Sequence, residues 1–221
     1  MKKELHFTKQ TRQKQAAFTM LELVMAIIVL GVLSALAIPR IERDVKQEAA
    51  DSILADIRYT QLLALADNKQ RQDNSHWQRA FWRIGFGNCL AGGYAGTCEY
   101  IGSDADLQGA IDNNESATDP STGLKMTQGG AISTTSKRVF LTKNFGITAV
   151  NFGGSCNGAQ YIGFDYLGRL HQGYTGSNVP NYGSYLNAPC TISFTRADGD
   201  NFSITIQPET GYAQIVGQPD S

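Results

Sequence analysis

Between Phe18 and Ile38 the chain runs for 21 residues with one charged side chain, Glu22. As a helix rising 1.5 Å per residue this is roughly 31 Å, close to the thickness of a bilayer's hydrocarbon core. No other feature limits the fold as strongly, because such a segment has to be covered by lipid or by protein. Its acid is costly there: a charge at bilayer mid-depth costs on the order of 2.5–3.5 kcal/mol unless it has a partner or a task. The charge around the segment is lopsided. Residues 1–17 carry a net +4, from Lys2, Lys3, Lys9, Arg12 and Lys14 against Glu4, and the other residues carry −5. A basic head before an apolar run marks an N-terminus held in the cytoplasm. The acidic remainder argues against a general nucleic-acid role.

A plain single-pass anchor accounts for the length of the segment and leaves Glu22 unexplained. A secretory signal peptide is a second reading, with Ala35-Leu36-Ala37 as an A-x-A-like cleavage site. In the third, a leader is cut on the cytoplasmic side before the apolar run begins. The stretch "AFTMLELVMAIIVLGVLSALAIPR" resembles the N-terminus shared by type IV pilins and type II secretion pseudopilins. That resemblance implies cleavage between Ala17 and Phe18, methylation of the Phe18 amine by a prepilin peptidase, and Glu22 as the fifth mature residue. It departs from the family in having Ala17 where Gly is usual. Gly31 and Pro39 fall where the family has a helix-loosening Gly and a Pro. A new α-amino group at Phe18 lies within i,i+4 reach of Glu22. The resemblance further implies that Glu22 pairs with the amine of a neighbouring subunit and sets register during assembly, as a buried polar group does in a coiled coil.

After Pro39 the pattern changes. Ile41, Val45, Ala49, Ile53 and Ile57 recur every four residues, widened by Leu54, Leu62 and Leu65, with charges on the other faces. This predicts an amphipathic helix continuing the apolar one. The expected organisation is a leader over 1–17, a membrane or filament-core helix over 18–38, an amphipathic helix over 39–72 and a β-rich periplasmic head over 73–221. A coiled-coil stalk is disfavoured, since no a/d heptad is sustained.

In the head, short β-branched or aromatic runs at 77–86, 139–141, 146–152, 161–165, 191–195, 202–206 and 212–216 predict strands. Ala197-Asp198-Gly199-Asp200 marks a hairpin. The fold class is α+β: an antiparallel sheet packed on one long helix, with the lollipop shape that the pilin resemblance implies. The segment "YIGFDYLGRL…CTISFTRADGDNFSITIQPETGYAQI" is similar to the closing part of H-type minor pseudopilins and FimT-like minor pilins, with Phe164, Gly168, Arg169, Thr210 and Gly211 at the matching positions. Loops 102–136 and 168–189 are long enough to be functional. Tyr174, Tyr182 and Tyr185 in the second form either a contact surface or a cover for the sheet edge.

Four cysteines allow three pairings, of which Cys89–Cys98 with Cys156–Cys190 is the simplest in an oxidising compartment. Buried free thiols are the alternative. No metalloprotease, nucleophile-elbow, P-loop or dinucleotide motif is present, so no enzyme activity and no cofactor are expected. His6, His76 and His171 are scattered and read as surface residues. Asp104/Asp106 and Asp198/Asp200 read as turn chemistry, with calcium the minor alternative, and no metal is assigned. The expected function is that of a minor pseudopilin in a type II secretion system. Its partners are other pilin or pseudopilin subunits, a prepilin peptidase, an inner-membrane assembly platform and lipid, with nucleic acid not expected. The alternatives are a minor pilin of a type IV pilus and a soluble periplasmic binding protein.

Overall fold

The computed structural model describes residues 19–218, and within them the side chains of residues 35–44 are not described. The leader, Ala17 and Phe18 therefore lie outside the described residues. Helix α1 spans Met20–Ala66, Pro39 included. The chain divides into two compact units after Arg43.

In the first unit Thr19 opens α1. Its hydroxyl accepts the backbone N–H of Glu22 at 3.3 Å, satisfying one of the free amides at a helix start. Thr19 and Glu22 have the spacing of a capping box. From Met20 to Leu33 the large apolar side chains are exposed on every face of the helix, the mark of a helix made to be surrounded. Among the described residues no helix is long and apolar enough to cross a membrane. The expected span 18–38 includes Phe18 and the side chains of 35–38, which lie outside them.

In the second unit the amphipathic face of α1 forms as expected through Ala49, Ile53, Leu54 and Ile57, all buried. Beyond Ile57 the stripe differs. Leu62 and Leu65 are 60% and 51% exposed, and Thr60 and Ala64 take the inward positions. A strict four-residue step drifts round a helix of 3.6 residues per turn, so a straight seam needs an i+3 step, taken here from Ile57 to Thr60. The helix ends at Ala66, short of residue 72, where the Asp67 carboxylate instead accepts from Trp82 Nε1 at 3.0 Å.

Two antiparallel four-stranded sheets follow. The first contains β1 (Trp82–Asn88), β2 (Thr97–Gly102), β4 (Tyr161–Phe164) and β5 (Leu170–His171), in the order β2-β1-β4-β5. The second contains β3 (Ile147–Gly154), β6 (Cys190–Arg196), β7 (Phe202–Ile206) and β8 (Ala213–Ile215), in the order β3-β6-β7-β8. The β6–β7 hairpin shows why this sequence makes strands. Cys190, Ile192 and Phe194 pair with Ile206, Ile204 and Phe202 on the buried face. Thr191 pairs with Thr205, and Ser193 with Ser203, on the other face, their hydroxyls 3.3 and 2.9 Å apart. Strict period-2 alternation makes that register unique. Both sheets deliver Ile, Phe and Leu side chains to one core shared with α1.

Four elements differ from expectation, and the strands form two sheets where one was expected. Residues 77–80 form a 3-10 turn and not the start of a strand. The run at 139–141 is not a strand: Val139 ends a 3-10 turn, and Leu141–Phe145 is a short helix, α2, closed by Gly146. Ser136 caps the preceding turn, and Val139, Phe140 and Leu141 all point into the core, so burial decides the conformation over β propensity. Strands β2 and β5 were not expected: β5 begins at the end of a stretch that reads as a turn.

Cys89 is bonded to Cys98 across the mouth of the β1–β2 hairpin, and Cys156 to Cys190 at the start of β6. The loops they close span 9 and 34 residues, which by chain entropy gives about 2.5 and 4 kcal/mol respectively. Replacing Cys156 and Cys190 together by Ser is therefore expected to lower the denaturation midpoint more than replacing Cys89 and Cys98. Chemical denaturation of both double variants measures this, and the reverse order would show that the shorter bridge relieves more than entropy.

Candidate functional site

The C-terminal motif residues meet on α1. Gln61 donates from Nε2 to the carbonyl of Gly168 at 3.1 Å and to that of Thr210 at 2.7 Å. Gly168 and Gly211 both have positive φ, +79° and +62°. A Cβ at Gly211 would collide with Gln61 Nε2 and the Gly168 carbonyl, and one at Gly168 would meet Gln61 Nε2 at 2.8 Å. The two turns thus approach too closely for any side chain, and their carbonyls are satisfied by a single helix glutamine. Phe164, fully buried, anchors the first turn. Gln61 was not singled out from sequence, since a glutamine on an amphipathic helix carries no signal of its own.

Arg169 belongs to the same turn. Its Nε and Nη2 reach Asp165 Oδ2 at 2.8 and 2.7 Å, while Asp165 Oδ1 accepts the backbone N–H groups of Leu167 and Arg169. Burial alone would raise the Asp165 carboxyl, but hydrogen bonds from His171 and Arg169 outweigh it and hold the group at about 2. His171, expected at the surface, is buried. It places Nδ1 2.9 Å from Ser184 Oγ and Nε2 3.3 Å from Asp165 Oδ2. The order Asp–His–Ser has the composition of a hydrolytic triad. However, Ser184 is 2% exposed, and the neighbouring cavity of about 300 Å³ is lined by His171, Asp165 and Arg169 but not by that hydroxyl. The trio ties β4, β5 and the turn at Tyr182–Ser184 together.

Trp77, Phe81 and Tyr182 complete that cavity. Tyr182 is exposed and Tyr185 half-buried, whereas Tyr174 is wholly buried against Phe81 and Tyr161, its ring 5.5 and 5.4 Å from theirs. Loop 168–189 folds back over the first sheet, which removes Tyr174 from any contact surface. Of the three histidines, His76 is half-buried beside this loop and His6 lies outside the described residues.

A second titratable cluster lies under α1. Asp56, 2% exposed, accepts from Arg138 Nη2 at 2.6 Å, and Glu99 of β2, 1% exposed, lies beside it. Asp56 Oδ2 and Glu99 Oε2 have no other donor, so one shared proton satisfies both. Burial first, then the Asp56 charge, pushes Glu99 well above the ordinary carboxylate range. Asp119 completes the cluster, 3.9 Å from Arg138 Nη1. Burial would raise it too, but the Ser136, Ser121 and Thr122 hydroxyls hold it at about 2.

In the first unit the site is the apolar helix surface itself. Glu22 is the one charged side chain between Thr19 and Ser34, and open space surrounds Gly31. Residues 12–38 match the prokaryotic N-terminal methylation motif. The match supports a type IV pilin-like protein. The family of that motif is structural and not enzymatic. No curated protein and no solved structure matches the chain.

Two outcomes follow from this geometry. Gly211→Ala is expected to cost about 1–3 kcal/mol, because it meets both positive φ and a collision. Thermal unfolding of Gly211→Ala alone and with Gln61→Ala measures this, and equal losses in the two backgrounds would show that Gln61 is not what the turn closes on. Glu99 holds its proton more tightly folded than unfolded. Its stabilisation is therefore full below the ordinary value of 4.5 and is lost as pH rises through the folded value. Glu99→Gln keeps a neutral donor, so its stability should gain on the parent by up to about 1.4 kcal/mol per pH unit between 4.5 and the folded value, with no further gain above it. Parallel profiles of Tm against pH would mean that Glu99 is ionised in the folded chain.

Proposed function

We propose that this chain is a minor pseudopilin of a type II secretion system, a structural subunit of a short periplasmic filament that helps export proteins. The observation that carries the reading is the methylation motif on a helix whose exposed surface is apolar on all sides and holds one acid. In this reading residues 1–17 are removed before Phe18 and the new amine is methylated. The helix then resides first in the inner membrane, as its single pass, and later in the filament core. The head lies in the periplasm. The partners are neighbouring subunits, the prepilin peptidase, the inner-membrane assembly platform and lipid. The two turns closed on Gln61 support the H-type branch, because they give Gly168, Arg169 and Gly211 a shared structural task. The same motif serves type IV pili, so a minor pilin is the neighbouring reading.

Glu22 has two separable tasks here. It stands at the third helical position after its Thr19 cap, and its charge is available to a subunit amine. Glu22→Gln preserves the capping geometry and removes the charge, while Glu22→Leu removes both. Both variants are expected to be inserted and processed to a chain beginning at methylated Phe18, read by intact mass, and both are expected to fail to enter filaments. Assembly of Glu22→Gln at the parent level would leave only the capping role. A mature chain beginning at Ile38 would replace the whole reading with a secreted soluble protein. Deletion in the source organism separates the machines: lost protein export supports secretion, and lost surface fibres support a pilus.

A further inference from the structure

The loop after β2 reads Asp104-Ala-Asp106-Leu-Gln108-Gly109-Ala110-Ile-Asp112-Asn-Asn-Glu115. Taken as a pair, Asp104 and Asp106 are turn chemistry; taken as twelve residues, the loop has a different meaning. Acids or amides stand at its first, third, fifth and ninth positions, glycine at the sixth and glutamate at the twelfth. That is the ligand spacing of a twelve-residue calcium loop, with Gln108 where Asp or Asn is usual.

The structure folds this stretch as that spacing requires. Its ends are pinned together by the Gly102–Ser116 bridge and by Ser103 N–H on the Glu115 carbonyl, at 3.2 Å. Gly109 turns the chain sharply at φ +98° and donates its N–H to Asp104 Oδ2. Asp106 Oδ1 accepts from Gln108 N–H, and Asp112 Oδ1 accepts from Asn114 and Glu115 N–H. Glu115 is drawn inward, accepting from the backbone of Ala105, Asp106 and Asp112. One carboxylate oxygen from each of Asp104, Asp106 and Glu115 falls within 4.8 Å of the others. Oxygens that bind one calcium at 2.3–2.6 Å lie no more than about 5 Å apart. The independent observation is Asp104 itself. Its side chain is fully buried, and Oδ1 has no hydrogen-bond partner, a costly state that a ligand would relieve. Arg83 of β1 is the nearby base, and its guanidinium is engaged by the carbonyls of Arg79 and Gly109.

We propose that residues 104–115 form a calcium site, with Asp104, Asp106 and Glu115 as carboxylate ligands, the Gln108 side chain and the Ala110 carbonyl as further ligands, and Asp112 acting through a water. Asp198/Asp200, the other acidic pair, carries no such site. Its acids are spent on Arg196 at 2.7 Å and Lys46 at 2.6 Å.

The test is calorimetric titration of the detergent-purified full chain, both disulfides intact, with CaCl2 and separately with MgCl2. One calcium per chain is expected, with Kd on the order of 10⁻⁴–10⁻³ M as in extracellular modules. At a tenfold excess over Kd the midpoint should rise by roughly 3–6 °C. Glu115→Gln and Asp106→Asn should each weaken binding at least about tenfold, and Asp198→Asn should not. Asp106 is exposed and decides the matter if Glu115→Gln unfolds the loop. No heat and no midpoint shift at ~10 mM calcium, an equal response to magnesium, or unchanged binding in Asp106→Asn would each overturn the proposal.

Discussion

The second unit depends on one helix face being shared by two sheets. Each sheet has only four strands, and β5 and β8 have two and three residues. Neither sheet can bury its apolar face alone. The seam Ala49, Ile53, Ile57, Thr60, Ala64 is narrow and built largely from small or β-branched side chains, which lets α1 sit close to both. Where the seam reaches the C-terminal turns, Gln61 extends the packing with hydrogen bonds to two backbone carbonyls. The helix therefore organises both the core and the C-terminal turns, and the glycines at 168 and 211 are consequences of how close Gln61 comes.

That closeness has an electrostatic cost, which is met locally. Asp56 occupies the same buried face as Ile53 and Ile57, where an isolated charge would be prohibitive. Arg138 reaches it from the 3-10 turn before α2, and Glu99 meets it from β2. Helix, sheet and loop thus join at one ionic group. Such groups add little net stability compared with apolar packing, but they punish misregistration, because a slipped strand leaves a bare charge. The same loop is held by Asp119, whose carboxylate accepts three hydroxyls. A stretch of sequence that reads as a long loop is in fact ordered by its acids.

Those acids also explain what could and could not be read from sequence. The helix seam through Ile57 and the β6–β7 hairpin were legible because each repeats one period over many residues, and the N-terminal segment because it runs apolar for 21 residues apart from Glu22. Strand β2 was not, since Glu99 stands at an inward position and breaks the alternation that marks a strand. The run Val139-Phe140-Leu141 has strand propensity but three consecutive buried side chains, which a helical turn accommodates at that place. His171 was misplaced to the surface, and Tyr174 was left between contact surface and sheet cover, because nothing local shows a loop folding back on a sheet. Of the candidate sites, the methylation segment was visible through its resemblance to the N-terminus of type IV pilins and pseudopilins. The turn cluster was visible through its glycines but not through Gln61. Asp104 and Asp106 drew notice as a pair, while their meaning lies in Gly109 and Glu115, farther along than a turn is read.

The two units answer different solvents. Residues 20–33 present Leu, Ile, Val and Met on all sides, so this part of α1 has no inner face of its own and gains stability only from whatever surrounds it. The core of the second unit is drawn from its own residues, beginning with Val45 and Ala49, and closes with two disulfides and three ordered acidic groups. Changes in the first unit are therefore felt in association, and changes in the second in folding. In the proposed filament the cost of the single acid, Glu22, falls on the assembled state, where a partner can meet it, and not on the fold.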